Sequence, residues 1–169
     1  VANAYTVFFR GGTYMKPVLI KEIRSTYGDK VIYKFEPIAR KRVLSEDSAA
    51  KVLAMMLEVA RDGTSKISMR GIKQPIACKT GTSNGPRDVS IWCGTTEIFI
   101  GIRLGYDDNR IMEFPEYMKK VSGDPKMQVT GGWMAAKIAR AIVDRYYKER
   151  EKVDFSPEVR TQHQMILDR

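Results

Sequence analysis

The sequence predicts a mixed α/β protein of the α+β type, in which helices pack on an antiparallel sheet. Apolar or β-branched runs at residues 75–82, 90–95 and 97–104 are joined by short connections, which favours an antiparallel meander. Helical patterns lie on either side of these runs, one beginning at Ser45 and one at Thr130. With 169 residues, of which 43% are hydrophobic, the chain can form one domain of ordinary size or part of a larger one.

The N-terminal part of the sequence combines a helix with a hairpin. Residues 1–9 are apolar and aromatic at helical spacing, and Gly11-Gly12 follows where such a helix ends. No capping Ser, Asp or Asn precedes this helix, so we expect the chain to begin inside a larger domain. Two β-prone runs, 17–23 and 31–35, lie on either side of a turn at residues 26–29 and predict a hairpin.

Two long helices and a tail are predicted after the hairpin. A basic linker, Arg40-Lys41-Arg42, leads to Ser45, the predicted N-cap of a helix that Gly63 is expected to end. After a polar, Pro- and Met-containing stretch, the last helix opens at Thr130-Gly131-Gly132. One stripe of it is predicted to face the core, formed by Trp133, Met134, Ile138, Ala141, Ile142 and Tyr146. We divide the chain into a domain at residues 1–150 and a loosely attached, charged tail at residues 151–169.

Composition narrows the classes of partner. The 29 Lys and Arg residues exceed the 20 Asp and Glu residues, which gives a net charge of +9 and suits anionic surfaces. No nucleic-acid partner is expected, because basic and aromatic residues are not interleaved and no known module signature is present. No apolar run reaches the roughly 20 residues of a membrane span. Any membrane anchor is therefore expected outside this chain.

The cysteines and the single histidine do not predict a metal site. Two cysteines, Cys78 and Cys93, are too few for a disulfide-dense scaffold or a four-thiolate site. They lie on consecutive predicted strands, so a cross-strand disulfide is possible, but the register is not fixed and two buried free thiols are expected. His163 lies in the predicted tail with no second ligand in view. We expect neither a metal nor a cofactor.

The run Lys79-Thr80-Gly81-Thr82 carries the strongest chemical signal. Strand alternation places Thr80 and Thr82 on one face, so that their hydroxyls can bind one anionic group, such as a peptide carboxylate. Gly81 leaves room for a ligand backbone to lie against the strand as an added β-partner. Lys79 adds positive charge and can polarise a hydroxyl needed for proton transfer, and the backbone N–H of Thr82 can help to hold an oxyanion.

This run resembles the Lys-Thr-Gly motif of penicillin-binding proteins. Further segments resemble, in the same order, the transpeptidase domain of the bifunctional class A members. These segments are Ala4-Tyr5-Thr6-Val7-Phe8, Gly11-Gly12, Lys16-Pro17, Arg42-Val43-Leu44-Ser45, Arg61-Asp62-Gly63-Thr64, residues 77–84, Arg87-Asp88, residues 101–108 and Thr130-Gly131-Gly132. Ordered matches over roughly residues 2–145 make the resemblance specific.

The resemblance implies a penicillin-binding-protein/β-lactamase-like transpeptidase fold that is incomplete in this chain. It implies a serine D,D-transpeptidase that cross-links peptidoglycan stem peptides ending in D-Ala-D-Ala and is acylated by β-lactams. Such an enzyme works at the periplasmic or extracytoplasmic face of the cell membrane. By this resemblance Lys79 and Thr82 are catalytic, and Lys79, Thr80, Gly81 and Thr82 bind the substrate.

The same resemblance places the nucleophile outside this chain. In the family, the acylated serine and the Ser-x-Asn motif lie upstream of the Lys-Thr-Gly strand, and both would fall before Val1. Because catalytic groups act as a unit, the chain alone is expected to be inactive. Its uncovered apolar faces are expected to need the missing N-terminal half of the domain, or a swapped or dimeric partner.

Other candidate residues are interpreted structurally. Ser48 and Lys51 have the Ser-x-x-Lys spacing and share a helix face, but they fall where the family has a later helix, so we interpret Ser48 as part of a solvated helix start. Ser83-Asn84 echoes the second motif and, with Gly85-Pro86, is interpreted as a turn. Asp88 is expected to shape that turn.

A second class of function stays open. A non-catalytic sensor or scaffold could keep the penicillin-recognising fold for peptide or partner binding. Intact Ser-x-x-Lys and Ser-x-Asn motifs upstream of Val1 would favour the enzyme, and their absence would favour the scaffold.

Overall fold

The computed structural model describes residues 1–36, 40–114, 116 and 128–168 of the chain. The elements follow in the order α1 (Ala2–Phe9), β1 (Thr13–Tyr14), β2 (Glu22–Arg24), β3 (Val31–Lys34), β4 (Lys41–Arg42), α2 (Glu46–Arg61), α3 (Lys66–Met69), β5 (Ala77–Thr82), β6 (Asp88–Gly94), β7 (Phe99–Gly105), a π-helical turn (Gly131–Ala135), α4 (Ala136–Tyr146) and α5 (Pro157–Leu167). Helices with antiparallel strands confirm the predicted mixed α/β class. No helix in the described part is long and apolar enough to cross a membrane.

The central sheet is the predicted meander. Strands β5, β6 and β7 pair antiparallel in that order, with Cys78 opposite Cys93 and Ile91 opposite Ile102. Val89, Ile91 and Cys93 are fully buried, in keeping with alternation along β6. Strand β5 lies at one edge of this sheet, because no other strand pairs with it within the described residues.

Helices cover both faces of the sheet. On one face, Cys78 and Ile91 pack with residues of the π-helical turn and α4, among them Ala139 and Val143. On the other face, Ala77 packs with residues of α2. Burial of a side chain such as Ile91 contributes roughly 1.5–3 kcal/mol, so these two layers hold the sheet in place.

The two predicted N-terminal helices are confirmed. Helix α1 spans Ala2–Phe9, and α2 begins after Ser45, whose Oγ accepts a hydrogen bond from the Ser48 N–H at 3.1 Å. Acidic residues occupy the first turn of α2, where they suit the positive end of the helix dipole. The helix ends at Arg61, two residues before Gly63.

The predicted hairpin is also confirmed. Strands β2 and β3 pair antiparallel, and every residue in them is exposed. Its turn contains Gly28 and Asp29, both with positive φ. The basic linker, by contrast, forms β4, which pairs with β1, and Arg42 Nη1 donates to the Gly11 carbonyl at 2.9 Å. Two-residue strands carry no periodic pattern, so this pairing was not predictable.

The stripe predicted for the last helix is partly wrong. Ile138 and Ile142 are 43% and 42% exposed, whereas Ala139 and Val143 are buried. The first turn is π-helical and takes up more residues than an α-helical turn, which rotates the following residues away from the simple 3.6-residue period. Trp133, Met134 and Tyr146 do pack against the buried clusters as predicted.

The expectation of a loosely attached tail is wrong. Residues Pro157–Leu167 form α5, and Phe155 and Val159 are buried against the core residues of α2. Two apolar residues in a charged segment are too weak a pattern to predict that the segment packs against α2. Ser156-Pro157, however, is typical of a helix start. Division of the chain at residue 150 stays a prediction.

The expectation of two free thiols is also wrong. Cys78 and Cys93 form a disulfide between strands β5 and β6. The two residues are directly opposite, with their Cα atoms 4.2 Å apart, so no backbone movement is needed to join them. Part of the predicted polar stretch, residues 115 and 117–127, and Arg169 of the predicted tail lie outside the described residues.

Candidate substrate-binding strand

Lys79, Thr80, Gly81 and Thr82 form the C-terminal part of the edge strand β5. The register places Thr80 opposite Ile91 and Thr82 opposite Val89, so the two threonines share one face as predicted. Lys79 lies on the other face, opposite Trp92, and is exposed. Since the strand has a free edge, side chains of both faces can reach a ligand lying beside it.

The backbone of this strand presents hydrogen-bonding groups at its free edge. Ser83 N–H donates to the Asp88 carbonyl at 2.9 Å. Hydrogen-bonded pairs alternate along an antiparallel ladder, so Gly81 and Ser90 form the next such pair and Thr82 and Val89 do not. The Thr82 N–H therefore points away from β6, towards the free edge, where an added strand or an oxyanion can accept from it.

The threonine hydroxyls keep protons available for an anion. Thr82 Oγ1 accepts a hydrogen bond from the Gly131 N–H at 3.3 Å, which leaves its own O–H free to donate. Thr80 Oγ1 and Thr64 Oγ1 lie 2.7 Å apart, and only one of these two hydroxyls can donate to the other. One proton of the Thr64–Thr80 pair therefore remains. Two hydroxyl donors on one face can bind a carboxylate.

Lys79 and Gly81 contribute differently from one another. Lys79 Nζ donates to the Thr80 carbonyl at 2.6 Å, and two of its three N–H groups remain for a ligand. A β-carbon on Gly81 would lie 2.6 Å from Ser90 Oγ. Because Gly81 has no side chain, there is room for Ser90, and the strand stays open to a ligand.

The sequence predicts a helix start at Gly131-Gly132 but no contact between this double glycine and Thr64. A β-carbon on Gly131 would clash with the Ser90 carbonyl oxygen and lie 2.6 Å from that of Gly81. A β-carbon on Gly132 would clash with the Thr64 carbonyl oxygen. The double glycine therefore lets the backbone pass between the β5–β6 pair and the Thr64 turn, and so brings Thr64 to Thr80. The Gly63-Thr64 turn is polar and exposed, so its sequence does not predict the contact between Thr64 and Thr80.

The residues that echo the two upstream motifs have other partners. Ser48 accepts a hydrogen bond from Ser45 Oγ at 2.8 Å, and Lys51 Nζ pairs with Asp47 at 2.7 Å. The predicted turn after β5 is confirmed, and there Ser83 Oγ accepts from the Asp88 N–H at 2.9 Å. The Asp88 carboxylate forms an ion pair with Arg103 at 2.7 Å.

His163 lies far from this strand, on α5, where its Nε2 contacts Glu58 of α2. Burial alone would raise the pKa of the Glu58 carboxyl, but hydrogen bonds from Arg61 and His163 outweigh it and hold this pKa below its usual value. Within the described residues, no cluster of His, Cys, Asp and Glu side chains is arranged to hold a metal ion.

Sequence comparison identifies the family. Residues 1–97 match the family described as the penicillin binding protein transpeptidase domain. The match covers more than half of the chain, so the chain belongs to the transpeptidase-domain family of penicillin-binding proteins. No curated protein sequence matches the chain.

Solved structures show the same fold. The chain superimposes on the penicillin-binding protein PonA1 of Mycobacterium tuberculosis with a TM-score of 0.72 at 20% identity, over 92% of this chain and 39% of that one. Penicillin-binding protein 1A of Haemophilus influenzae gives 0.71 at 19%, over 92% and 27%. The D,D-transpeptidase domain of a peptidoglycan glycosyltransferase from Eggerthella lenta gives 0.62 at 16%, over 87% and 31%. The chain therefore spans well under half of these proteins.

Proposed function

We propose that the chain is the C-terminal part of a serine D,D-transpeptidase that cross-links peptidoglycan stem peptides and is acylated by β-lactams. The observation that carries this proposal is the edge strand Lys79–Thr82 in a member of the transpeptidase family. Together with Thr64, it presents an exposed ammonium group, two free hydroxyl protons and an outward N–H. These are donors suited to a terminal carboxylate and to the oxyanion of an acyl transfer.

Each residue of the strand has a role in the proposed mechanism. The hydroxyls of Thr80 and Thr82 bind the carboxylate of the terminal D-Ala, and Lys79 supplies positive charge that favours an anionic substrate. The Thr82 N–H donates to the oxyanion that forms when a serine attacks the preceding carbonyl. The serine displaces D-Ala, and an amine of a neighbouring strand then takes the acyl group from it. Within this chain the strand recognises the substrate and stabilises charge, and another part of the domain provides the nucleophile.

The disulfide supports an extracytoplasmic location. Disulfides form and persist in oxidising compartments and are rare where thiols are kept reduced. The Cys78–Cys93 disulfide directly precedes Lys79 in the sequence, within the proposed binding strand. We therefore place the chain on the periplasmic or extracytoplasmic side of the membrane, with any anchor in a segment outside these residues.

Exposed apolar side chains support a companion segment. Ile138 and Ile142 lie on the outer side of α4 with about two fifths of their surface exposed, at 43% and 42%. Large contiguous apolar patches on a protein surface mark interaction sites, and adjacent exposed isoleucines on one helix face suit a place within such a patch. We propose that the rest of the transpeptidase domain, or a swapped or dimeric partner, covers this face.

Substitution of Lys79 tests the proposed role of the strand. In the natural full-length protein, Lys79→Ala is expected to slow acylation by a labelled penicillin about 100-fold, the usual loss when a charge-stabilising group is removed. Thr82→Val is expected to slow it about tenfold, since one charge-assisted hydrogen bond is lost. Lys34→Ala and Thr96→Val serve as matched controls at exposed positions, and their acylation rates should equal that of the unsubstituted protein.

Intact mass measurement separates the competing functions. The 169-residue chain alone should form no penicillin adduct, because the proposal places its nucleophile elsewhere. A stoichiometric adduct on Ser48 would refute that placement. A full-length protein that is not acylated, yet binds stem peptide, would identify the non-catalytic scaffold instead.

Thr64 is expected to position Thr80. Thr64→Val removes the 2.7 Å hydroxyl contact but keeps the shape of the side chain. We expect acylation of the full-length protein to slow about threefold to tenfold, with a change in unfolding free energy of about 1 kcal/mol or less, since the side chain is exposed. Thr64→Ser retains the hydroxyl and should restore the rate. A slow Thr64→Ser variant would show that Thr64 does not act through its hydroxyl.

A further inference from the structure

A cavity lies away from the Lys79–Thr82 strand. It has a volume of about 610 Å³ and is lined by the C-terminal half of α2, by α3, by residues 70–76 and by α5. None of the residues Lys79, Thr80, Gly81 and Thr82 lines it. Its size lies within the range of cavities that take small molecules or short peptide segments.

The walls of this cavity are held together by polar contacts. Gln74 is buried, its Nε2 donates to the Val153 carbonyl at 2.6 Å, and its Oε1 accepts from the Val153 N–H at 3.2 Å. These two bonds join the 70–76 segment to the chain that leads into α5. The contact of His163 with Glu58 joins α5 to α2 on the opposite side. The cavity is therefore formed before any ligand arrives.

Cationic side chains from four separate elements line this cavity. Arg61 comes from the end of α2, Lys66 from α3, Arg70 and Lys73 from the 70–76 segment, and Arg160 from α5. Arg61 is paired with Glu58, Lys66 with Asp62 and Arg160 with Asp154, whereas the side chains of Arg70 and Lys73 form no ion pair with a described residue. Asp154 is the one acidic residue that lines the cavity among the described residues. The rim thus favours an anionic ligand.

Apolar side chains form the floor of the cavity. Leu57, Met69, Ile72 and Ile76 line it between the charged walls, and Met69 and Ile76 are almost completely buried. A floor of this kind stabilises an apolar group that leaves water. An anion without an apolar group would not be stabilised by this floor.

We propose that this cavity binds a short acidic peptide segment that carries apolar side chains. Arg70 and Lys73 bind its carboxylates, and the floor around Ile72 takes an apolar side chain between them. Arg70 and Lys73 lie at separate positions along the 70–76 segment, which suits two spaced carboxylates better than one phosphate group. A concave site also fits a peptide segment better than a flat lipid surface.

The cavity and the Lys79–Thr82 strand share one structural segment. Arg61 and Lys66 line the cavity, and Thr64 lies between them and contacts Thr80. Peptide binding at the cavity does not depend on transpeptidation and can be measured in the natural full-length protein whether or not the proposed enzymatic function holds.

Fluorescence anisotropy with defined peptides tests the inference. The probe is a fluorescein-labelled heptapeptide in which Glu and Leu alternate, and the comparison peptides alternate Glu with Ser and Lys with Leu. We expect saturable binding of the Glu–Leu peptide at near-physiological salt, and at least tenfold weaker binding of the other two. The double substitution Arg70→Glu and Lys73→Glu should weaken Glu–Leu binding at least tenfold, because like charges then face each other.

Two controls separate the cavity from the net positive charge of the chain. Lys30→Glu with Lys34→Glu makes the same change of charge on the exposed hairpin, and it should alter the affinity less than twofold. In methionine-methyl NMR spectra the peptide should shift the signal of Met69, which lines the cavity, and leave that of Met55, which is 55% exposed, in place.

Several results would overturn the inference. Equal losses of affinity in the two double variants, or an unmoved Met69 signal, would show that binding is non-specific electrostatic attraction. No saturable binding of the Glu–Leu peptide would also reject it. Binding to phosphatidylglycerol vesicles, lost on Arg70→Glu with Lys73→Glu while the peptide stays unbound, would identify a lipid surface instead.

Discussion

Replacing Gly131 with alanine is expected to lower the free energy of unfolding by about 3 kcal/mol or more, because overpacking against backbone cannot be relieved by a rotamer change. The new β-carbon would clash with the Ser90 carbonyl oxygen and lie 2.6 Å from that of Gly81. The π-helical turn would have to move off the sheet, and the hydrogen bond from the Gly131 N–H to Thr82 would be lost. Chemical denaturation followed by circular dichroism measures the change.

Gly28→Ala is the matched control for this substitution. Gly28 has a φ of +81°, and a β-carbon there would meet no atom within 4 Å. The control therefore costs only the strain of a left-handed alanine, about 1–2 kcal/mol. If Gly131→Ala were no more destabilising than Gly28→Ala, the close approach of the turn to β5 and β6 would be absent in solution.

Gly132→Ala should act on the opposite side of the same turn. Its β-carbon would clash with the Thr64 carbonyl oxygen and lie 2.8 Å from the carbonyl carbon. Displacement of that turn separates Thr64 from Thr80, so this variant should also reduce acylation of the full-length protein. The two glycines thus link the stability of the sheet edge to the position of the hydroxyls.

Local patterns were sufficient to predict most elements of the fold. The capping Ser45, the alternating runs of the meander and the turn at Ser83-Asn84 each depend on neighbouring residues, and the structure confirms them. Contacts between distant segments were not predictable in this way. Thr64 and Thr80 meet only because Gly131 and Gly132 allow two backbones to approach, and no pattern around Thr64 indicates it.

The three corrections have physical causes of the same kind. The disulfide depends on the register that places Cys78 opposite Cys93, which the strand sequences alone leave open. The buried face of α4 depends on the π-helical turn before it. Packing of α5 depends on the contacts of Phe155 and Val159 with α2. The charged residues around them in the sequence do not predict those contacts. In each case the tertiary arrangement outweighed the local pattern.

Removal of the Cys78–Cys93 disulfide is expected to lower the free energy of unfolding by about 3 kcal/mol. The disulfide closes a loop with a sequence separation of 15 residues. In the chain-entropy account, opening a loop of about 15 residues costs about 3 kcal/mol, because the unfolded chain regains freedom. Cys78→Ala with Cys93→Ala should therefore lower the denaturation midpoint, and a reductant should lower that of the unsubstituted protein by a similar amount. The double variant should not respond to the reductant.

Loss of the disulfide should also loosen the strand that carries Lys79. Cys78 and Cys93 are fully buried between the sheet and α4, and each is adjacent in sequence to a residue of the Lys79–Trp92 pair. Without the covalent bond, the free edge of β5 opens more easily, so amide hydrogens of residues 79–82 should exchange faster, whereas those of β7 should change less. Alkylation of the denatured, unsubstituted protein in the absence of reductant provides the decisive control. If both cysteines were modified there, the disulfide would not exist, and equal exchange rates in the two proteins would show that it does not stabilise the strand.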